Sequence, residues 1–557
     1  MAPHLFYGIV ERASLGEQCL VGVTIGVLAH LLYFIHGHKV IQTPRIVAAH
    51  LLSSWAILAL FISSLGPLRG ALAAASVSSC YLLGLFTSMS IYRVFFHRLS
   101  RFPGPFAAKV TKLYGPWIAR NKDMHIQHQK LHEKYGDIVR IGPNELLILS
   151  LDAQQKVHGA HSKCSKRRTM YEVIHYNGAL NLDSIMDRDE HRWRRQVWDK
   201  AIGTRSLETY EVYAREVMHE WLDKLQSLQG KPINTSLYST LIPFENMGRM
   251  GFSTKFDSIA AGKEDPMLHL IEVMFASLGQ LGQMTWPVVL LTALGANADY
   301  VSFERLACNL TDERAKKGDD THEDIMKYFL EDLHSEKPRA FHTDDILYSD
   351  AQAIMVGGTD TIASALSFIF YYLARDSEVR QKLREELTPL LGKTKPGEFS
   401  NIDLGETRAP YLNSLINETM RMHNPSCSNG MRYTPPEGIE VDGVHIPGNV
   451  AMVLPIYAMQ RSDRYFREAN EFIPERWTTR PDLIIDKRAY HPFLLGPFNC
   501  VGRRLALIVM RFALAYTVLN YDFEFAPGED GTALHLQAAN QLILKAGPLK
   551  CVFHKRE

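Results

Sequence analysis

Three apolar stretches crowd the N-terminal end of the chain: Cys19 to His36, Ile46 to Leu65 and Gly70 to Ile91. Each is close to the roughly 20 residues that one bilayer crossing needs, so whatever follows must fold while tethered to a membrane. A cleaved signal peptide is a competing reading, but the first stretch is too long for one and no small-residue cleavage site follows it. A single anchor with surface helices is another, because His30, His50, Ser53, Ser54 and the serines around Ser76 make the segments less apolar than an ideal span. Charge sets the orientation. Lys39 and Arg45 lie in the first connection, Arg69 alone in the second, and Arg93, His97, Arg98 and Arg101 follow the third. Basic residues favour the cytosolic side, which gives three crossings a lumenal N-terminus and puts everything after Arg93 in the cytosol.

RFPGPF, residues 101 to 106, ends the membrane section, since Pro-Gly-Pro cannot continue a helix. Beyond it there is no second linker, repeat or low-complexity tract. The polar run at 313 to 324 reads as a solvated loop and helix start. The chain therefore divides into an anchor, residues 1–100, and one large domain, residues 101–557. Helical patterns dominate that domain. GDIVRIGPNELLILS (136 to 150) reads as a hairpin around Gly142-Pro143-Asn144, and IEVDGVHIPGNVAMVLP (439 to 455) turns tightly at Asp442-Gly443. The fold class is mainly α with a small β portion, preceded by transmembrane helices. A net charge of +1 argues against nucleic acid as a partner. The 7 cysteines show no CxxC and no zinc or disulfide spacing, which fits a reducing compartment.

One cysteine stands out. In FLLGPFNCVGRRLA, residues 493 to 506, Cys500 has Gly496 four residues before it and Gly502 two after. A free cysteine usually packs as a small hydrophobe. Here the residues after Gly502 read as a helix rich in strong helix formers. Cys500 then sits at a helix N-terminus, where the dipole and free N–H groups favour a negative group and lower a thiol pKa. Arg503 and Arg504 add positive charge. A thiolate offered to a metal is the sharper reading.

Three other patterns bear on chemistry. Thr343 to Arg375 reads as a long helix interrupted by VGGTDTI, 356 to 362. Adjacent glycines there cost roughly 0.8–1 kcal/mol each against Ala; they suit either close helix packing or a ligand approaching the backbone. Asp360 and Thr361 put an acid and an alcohol at that weak point, a pair suited to relaying protons. In INETMRM, Glu418 and Arg421 lie three apart on a helix, either as a surface pair worth about 0.2–0.5 kcal/mol or, with Arg476 of FIPERW, as a hydrogen-bonded network that fixes a buried loop. HRWRR puts His191 and Arg195 on one helical face, either as a solvated basic face or as a grip for carboxylates.

Taken together, these motifs resemble the cytochrome P450 superfamily. Phe493-x-x-Gly496-x-x-x-Cys500-x-Gly502 looks like its haem-binding loop, and Gly357-Gly358-Thr359-Asp360-Thr361 like its oxygen-activation segment. Glu418-x-x-Arg421 with Pro474-Glu475-Arg476-Trp477 resembles its structural triad. FPGPF and YGDIVRIGPNEL (135 to 146) look like the hinge and first sheet of its fungal membrane-bound members. The motifs run in the family's order over residues 101 to about 520. The resemblance implies the cytochrome P450 fold, haem b bound with Phe493 at its loop, and Cys500 as the proximal thiolate to iron, a ligand that favours O–O cleavage. It also implies Asp360 and Thr361 in proton delivery, and His191, Arg195 and Arg432 on the haem propionates. One position departs. The family usually carries Arg or His two residues before the cysteine, where this chain has Phe498.

The implied function is insertion of one oxygen atom from O2 into a hydrophobic organic substrate, of the terpenoid, alkaloid or polyketide kind that fungal relatives oxidise in secondary metabolism. Rival readings are a haem-thiolate isomerase or dehydratase needing no external electrons, which the intact Asp360-Thr361 pair disfavours, and a non-catalytic membrane haem-binding protein. No GxGxxG follows a strand, so electrons must come from a separate NADPH–cytochrome P450 reductase at the endoplasmic reticulum. Residues 165 to 185, 255 to 290, 350 to 361, 424 to 434 and 533 to 541 are the segments expected to shape the substrate pocket.

Overall fold

The structure is a computed structural model and describes residues 13–166, 171–173, 175–282, 284–318, 323–428 and 430–557. The expected pocket segments therefore fall partly outside the described residues, at 167–170, 174, 283 and 429, as does 319–322 of the polar run. The described chain divides into two compact units.

The first unit contains residues 1–117, 139–146 and 283–297. Its helices α1 (Leu15–Ala29, continued by a π turn to Phe34), α2 (Thr43–Leu65) and α3 (Pro67–Ile91, continued to Phe96) overlap the three apolar stretches; each begins a few residues earlier, and α1 ends at Phe34, short of the expected His36. α1 and α3 approach so closely that a Cβ on Gly26 would run into the Tyr81 carbonyl, and one on Gly84 into the Val23 carbonyl. The two histidines among the polar side chains that weakened these segments as spans are paired across helices, while Ser76 donates to the Leu72 carbonyl of its own helix. His30 Nδ1 shares a hydrogen bond of 2.8 Å with Ser88 Oγ, and His50 Nε2 one of 2.9 Å with the Tyr81 hydroxyl. Such pairs are the polar contacts that hold helices together in lipid. The Pro-Gly-Pro hinge is fixed by Arg140, whose N–H donates to the Pro103 carbonyl at 2.7 Å and whose guanidinium donates to the Arg93 and Pro143 carbonyls. The short apolar helix Trp286–Ala293 packs with α2 in the same unit.

The second unit contains residues 118–138, 147–282 and 298–557. Both predicted hairpins form: β1 (Ile138–Gly142) and β2 (Glu145–Ile148) flank the Gly142-Pro143-Asn144 turn, which belongs to the first unit, while β5 (Ile439–Val441) and β6 (Val444–Ile446) pair antiparallel within the second. Asp442 and Gly443 both take positive φ, 47° and 76°, as a two-residue hairpin turn requires. Of the other strands, β4 (Arg432–Tyr433) pairs with β7 (Ala451–Val453), β9 (Ala539–Gln541) with β10 (Ile543–Lys545), and β11 (Lys550–Lys555) lies between β3 (Pro232–Asn234) and β8 (Tyr521–Phe525).

Helices form the bulk. α4 (Arg188–Ala201), α5 (Thr235–Phe252), α6 (Pro266–Leu281), α7 (Asp344–Arg375), α8 (Pro410–Met422) and α9 (Arg503–Asn520) are those that build the site. α7 starts where expected, with the Thr343 hydroxyl accepting from the Ile346 N–H. It is long and apolar enough to cross a membrane, but two thirds of its apolar window is buried inside the protein, so it is a core helix. α5 packs along it, and α9 closes the core with its inward face from Leu505 to Val518.

Candidate active site

A cavity of about 330 Å³ lies among α4, α7, α9 and the 492–502 loop. Its walls are mostly apolar, with Trp198, Ile202, Met247, Ile354, Ile362 and Leu505 among them. The loop is shaped by its glycines. Gly496 has φ +64°, and a Cβ there would strike the His158 carbonyl. The Cys500 N–H donates to the Phe493 carbonyl at 2.9 Å, closing the loop, and Gly502 caps α9. Cys500 is thus placed as the sequence implied. It lies deep among protein atoms yet is accessible, because the space it faces is the cavity. Its thiol departs from expectation: burial pushes the pKa up, and the Gly502 and Arg503 N–H groups with Arg195 only pull part of the way back. Desolvation outweighs the helix terminus here, so the thiolate would have to be secured by a bound metal.

The two glycines of α7 have different surroundings. A Cβ on Gly358 would collide with Met247, which is the close-packing reading. Gly357 meets nothing within 4 Å and is exposed although it stands mid-helix, so bare backbone faces the cavity. Thr361 also lines the cavity, its hydroxyl donating to the Gly357 carbonyl at 2.8 Å. Asp360 does not. It borders a second crevice of about 320 Å³, with Glu264, Glu272, Lys122 and Lys545. Burial raises its carboxyl to about 6; Lys545 opposes that, and Glu272 and Glu264 add to it. The acid and the alcohol are consecutive residues facing separate spaces.

His191 and Arg195 both line the cavity from α4. The His191 ring stands edge-on to Phe498, centroids 4.5 Å apart, and its nitrogens have no hydrogen-bond partner among the described residues. Burial, then Lys166 and Arg195, lowers its pKa to about 4, so it would meet a carboxylate as a neutral donor. Arg195 is already partly engaged, with Nε on Asp199 at 2.8 Å and Nη1 on the Asn499 carbonyl at 2.8 Å. Arg432 is not a lining residue. It packs behind the wall, its guanidinium carbon 5.4 Å from the Phe498 ring centre and Nη1 donating to the Tyr171 hydroxyl. Phe493 lines the cavity.

α4 is held to α7 by a buried carboxylate. Asp350 accepts from Trp198 Nε1 at 3.1 Å and from the Leu182 N–H at 2.6 Å, with Arg194 at 3.6 Å. The sequence reading did not single out Trp198, although it lies seven residues after His191 and so on the same helical face. Nor did it find Lys166, a lining residue whose charge sits in a basic run that looks solvated; burial lowers its pKa to about 8. Among the expected pocket segments, 165–185, 350–361 and 424–434 contribute to the cavity. Segments 255–290 and 533–541 instead supply walls of the crevice around Asp360.

The structural triad forms. Glu418 takes Arg421 at 2.8 and 2.9 Å, Arg476 at 3.2 Å and, in addition, Trp477 Nε1 at 2.9 Å. One deep thiol, bare helix backbone at Gly357, apolar walls and a cationic end suit a haem, which has an iron for the thiol, a flat apolar face and carboxylates.

The cytochrome P450 family profile matches residues 103–553. A cytochrome P450 monooxygenase of Eupenicillium brefeldianum is 34% identical over 497 residues, 89% of this chain and 98% of the relative. Another, of Fusarium pseudograminearum, is 35% identical over 459 residues, covering 81% and 82%. Tryprostatin B 6-hydroxylase of Aspergillus fumigatus is 33% identical over 519 residues, 91% of each chain.

Proposed function

The chain belongs to the cytochrome P450 family and is a monooxygenase of it, and on that premise we propose that the cavity above Cys500 is where it holds haem and oxidises a hydrophobic secondary metabolite. The observation that carries the assignment is the pairing in one cavity of an accessible deep thiol with uncovered backbone at Gly357. Cys500 would hold the haem iron, Phe493 would close the loop that presents it, and His191, Arg195 and, from behind the wall, Arg432 would set the polarity around the propionates. Bound there, haem supplies the iron that activates O2.

The chain's own residues do the rest. Apolar side chains exclude water from the substrate and orient it over bare backbone. Asp360 takes a proton from the charged crevice on one side of α7, and the Thr361 hydroxyl presents one to the cavity on the other. The Glu418 network keeps the segment from Gln460 to Leu483 in place. Electrons come from a separate NADPH–cytochrome P450 reductase. Residues 1–100 anchor the catalytic domain, residues 101–557, to the endoplasmic reticulum by three crossings with that domain in the cytosol. A relative named for hydroxylating tryprostatin B supports a secondary-metabolite substrate, within the terpenoid, alkaloid or polyketide range.

The test is reconstitution with NADPH, a reductase and a library of such compounds, chosen first by the spin-state shift each causes. Oxygenated product that depends on NADPH supports the reading. Product formed equally well without NADPH would favour an isomerase or dehydratase.

A further inference from the structure

The cavity wall around Phe498 carries more positive than negative charge. Lys166 and Arg195 line it, beside the neutral His191, and Arg432 packs behind it. Lys166 is the most deeply set of the lining cations: its side chain is 2% exposed, and Nζ lies 4.5 Å over the Phe498 ring. Its acidic partner is weak. Nζ donates to the Asp183 main-chain carbonyl at 2.5 Å, a neutral acceptor, while the Asp183 carboxylate stands 3.7 Å away and is 82% exposed, so solvent screens the ion pair. Asp199, the partner of Arg195, is also largely exposed at 57%. Arg432 has a hydroxyl and a carbonyl as its hydrogen-bond acceptors. Buried cations in such excess need an anion, because an unpaired charge away from water is costly.

We propose that Lys166 is the principal charged contact for a carboxylate of the group bound in this cavity, with the Phe498 ring as the platform that holds its ammonium. This rests on the haem reading of the cavity, in which that carboxylate is a propionate. Phe498 is then a relocation of charge, not a loss. One ammonium N–H donates to the Asp183 carbonyl at 2.5 Å; of its three donors the others remain for an anion, so the ammonium serves the wall where position 498 would otherwise have supplied a base. Lys166 is a haem-positioning residue of this chain and has no part in the chemistry at the substrate.

The test uses the full-length holoenzyme in detergent and reads transfer of haem to excess apomyoglobin by absorbance. Lys166→Met should speed transfer roughly ten- to a hundredfold, the range of one charge-assisted hydrogen bond. Adding Phe498→Arg to that variant should slow transfer back toward wild type, because it returns a cation to the same wall. Lys166→Arg should stay near wild type. A purely structural lysine would not be rescued by a charge placed at 498. Lys166→Met transferring haem at the wild-type rate would overturn the proposal, as would a loss that neither Phe498→Arg nor Lys166→Arg repairs. Wild-type protein that takes up no haem would overturn the cavity reading itself, and is recognised before any variant is compared.

Discussion

Asp360 and Thr361 are adjacent in sequence, and helical geometry sends their side chains about 100° apart, one to a charged crevice and one to an apolar cavity. Spacing made both residues visible as a chemical pair but could not say that they face different spaces. The placement has a measurable price. A carboxyl raised from 3.8 to about 6 binds a proton in the native state that the unfolded chain has released. Stability is therefore lost as pH rises through that window and is not regained above it. Asp360→Asn should raise the thermal denaturation midpoint at pH 7, narrow the gap to wild type at pH 4, and lower the share of NADPH that ends in product. A variant no more stable at pH 7 than wild type would contradict the raised carboxyl. Cys500 shows the opposite limit of residue-level reading: its position was legible from the glycines, whereas its raised pKa follows from surrounding atoms that no local pattern describes.

At the scale of elements, α8 shows what spacing reveals and what it leaves out. Glu418 and Arg421 at i and i+3 could have been an exposed pair worth a few tenths of a kcal/mol. Both are fully buried, and Arg421 also donates to the Gln460, Ala469 and Glu471 carbonyls, while Arg476 donates to those of Glu468 and Leu483. Those acceptors are backbone groups of an irregular segment, invisible to residue-type patterns. Glu418→Gln should destabilise the protein by about 3–5 kcal/mol, the usual cost of breaking a buried charged network, and should raise proteolysis between Gln460 and Leu483. Unchanged stability and protection would show the network to be dispensable. The helix Met124–Tyr135 makes a second case. It turns His125, His128 and His132 inward, and burial, then His132 and His125, lowers the pKa of His128 from 6.5 to about 3. Such a histidine stays neutral in the native state while the unfolded chain protonates. Its contribution is intact above about pH 6.5 and is lost as pH falls toward 3, with a slope approaching 1.4 kcal/mol per pH unit. His128→Leu should flatten acid unfolding over that range when followed by circular dichroism; an equally steep curve would locate the acid sensitivity elsewhere.

For the whole molecule, hydropathy was enough to find α1, α2 and α3, and the hairpins followed from turn residues. Hydropathy could not show that residues 139–146 and 283–297 group with the N-terminal helices, because that grouping depends on contacts between distant parts of the chain. Nor could length and apolarity separate α7 from a span; only its burial does. Three crossings predict that protease added to sealed microsomes digests the chain after Phe106 and spares an N-terminal tag. Cleavage of the tag would favour an even number of crossings. The central claim, that this membrane-tethered chain is a haem-thiolate enzyme built on Cys500, is tested most directly by the spectrum of the reduced, CO-bound protein, wild type against Cys500→Ser. The account predicts a thiolate-type Soret band in the wild type and its absence in the variant, since an alcohol is a far poorer ligand at neutral pH than the thiolate it replaces. A thiolate-type band that survives in Cys500→Ser would mean that another cysteine holds the iron.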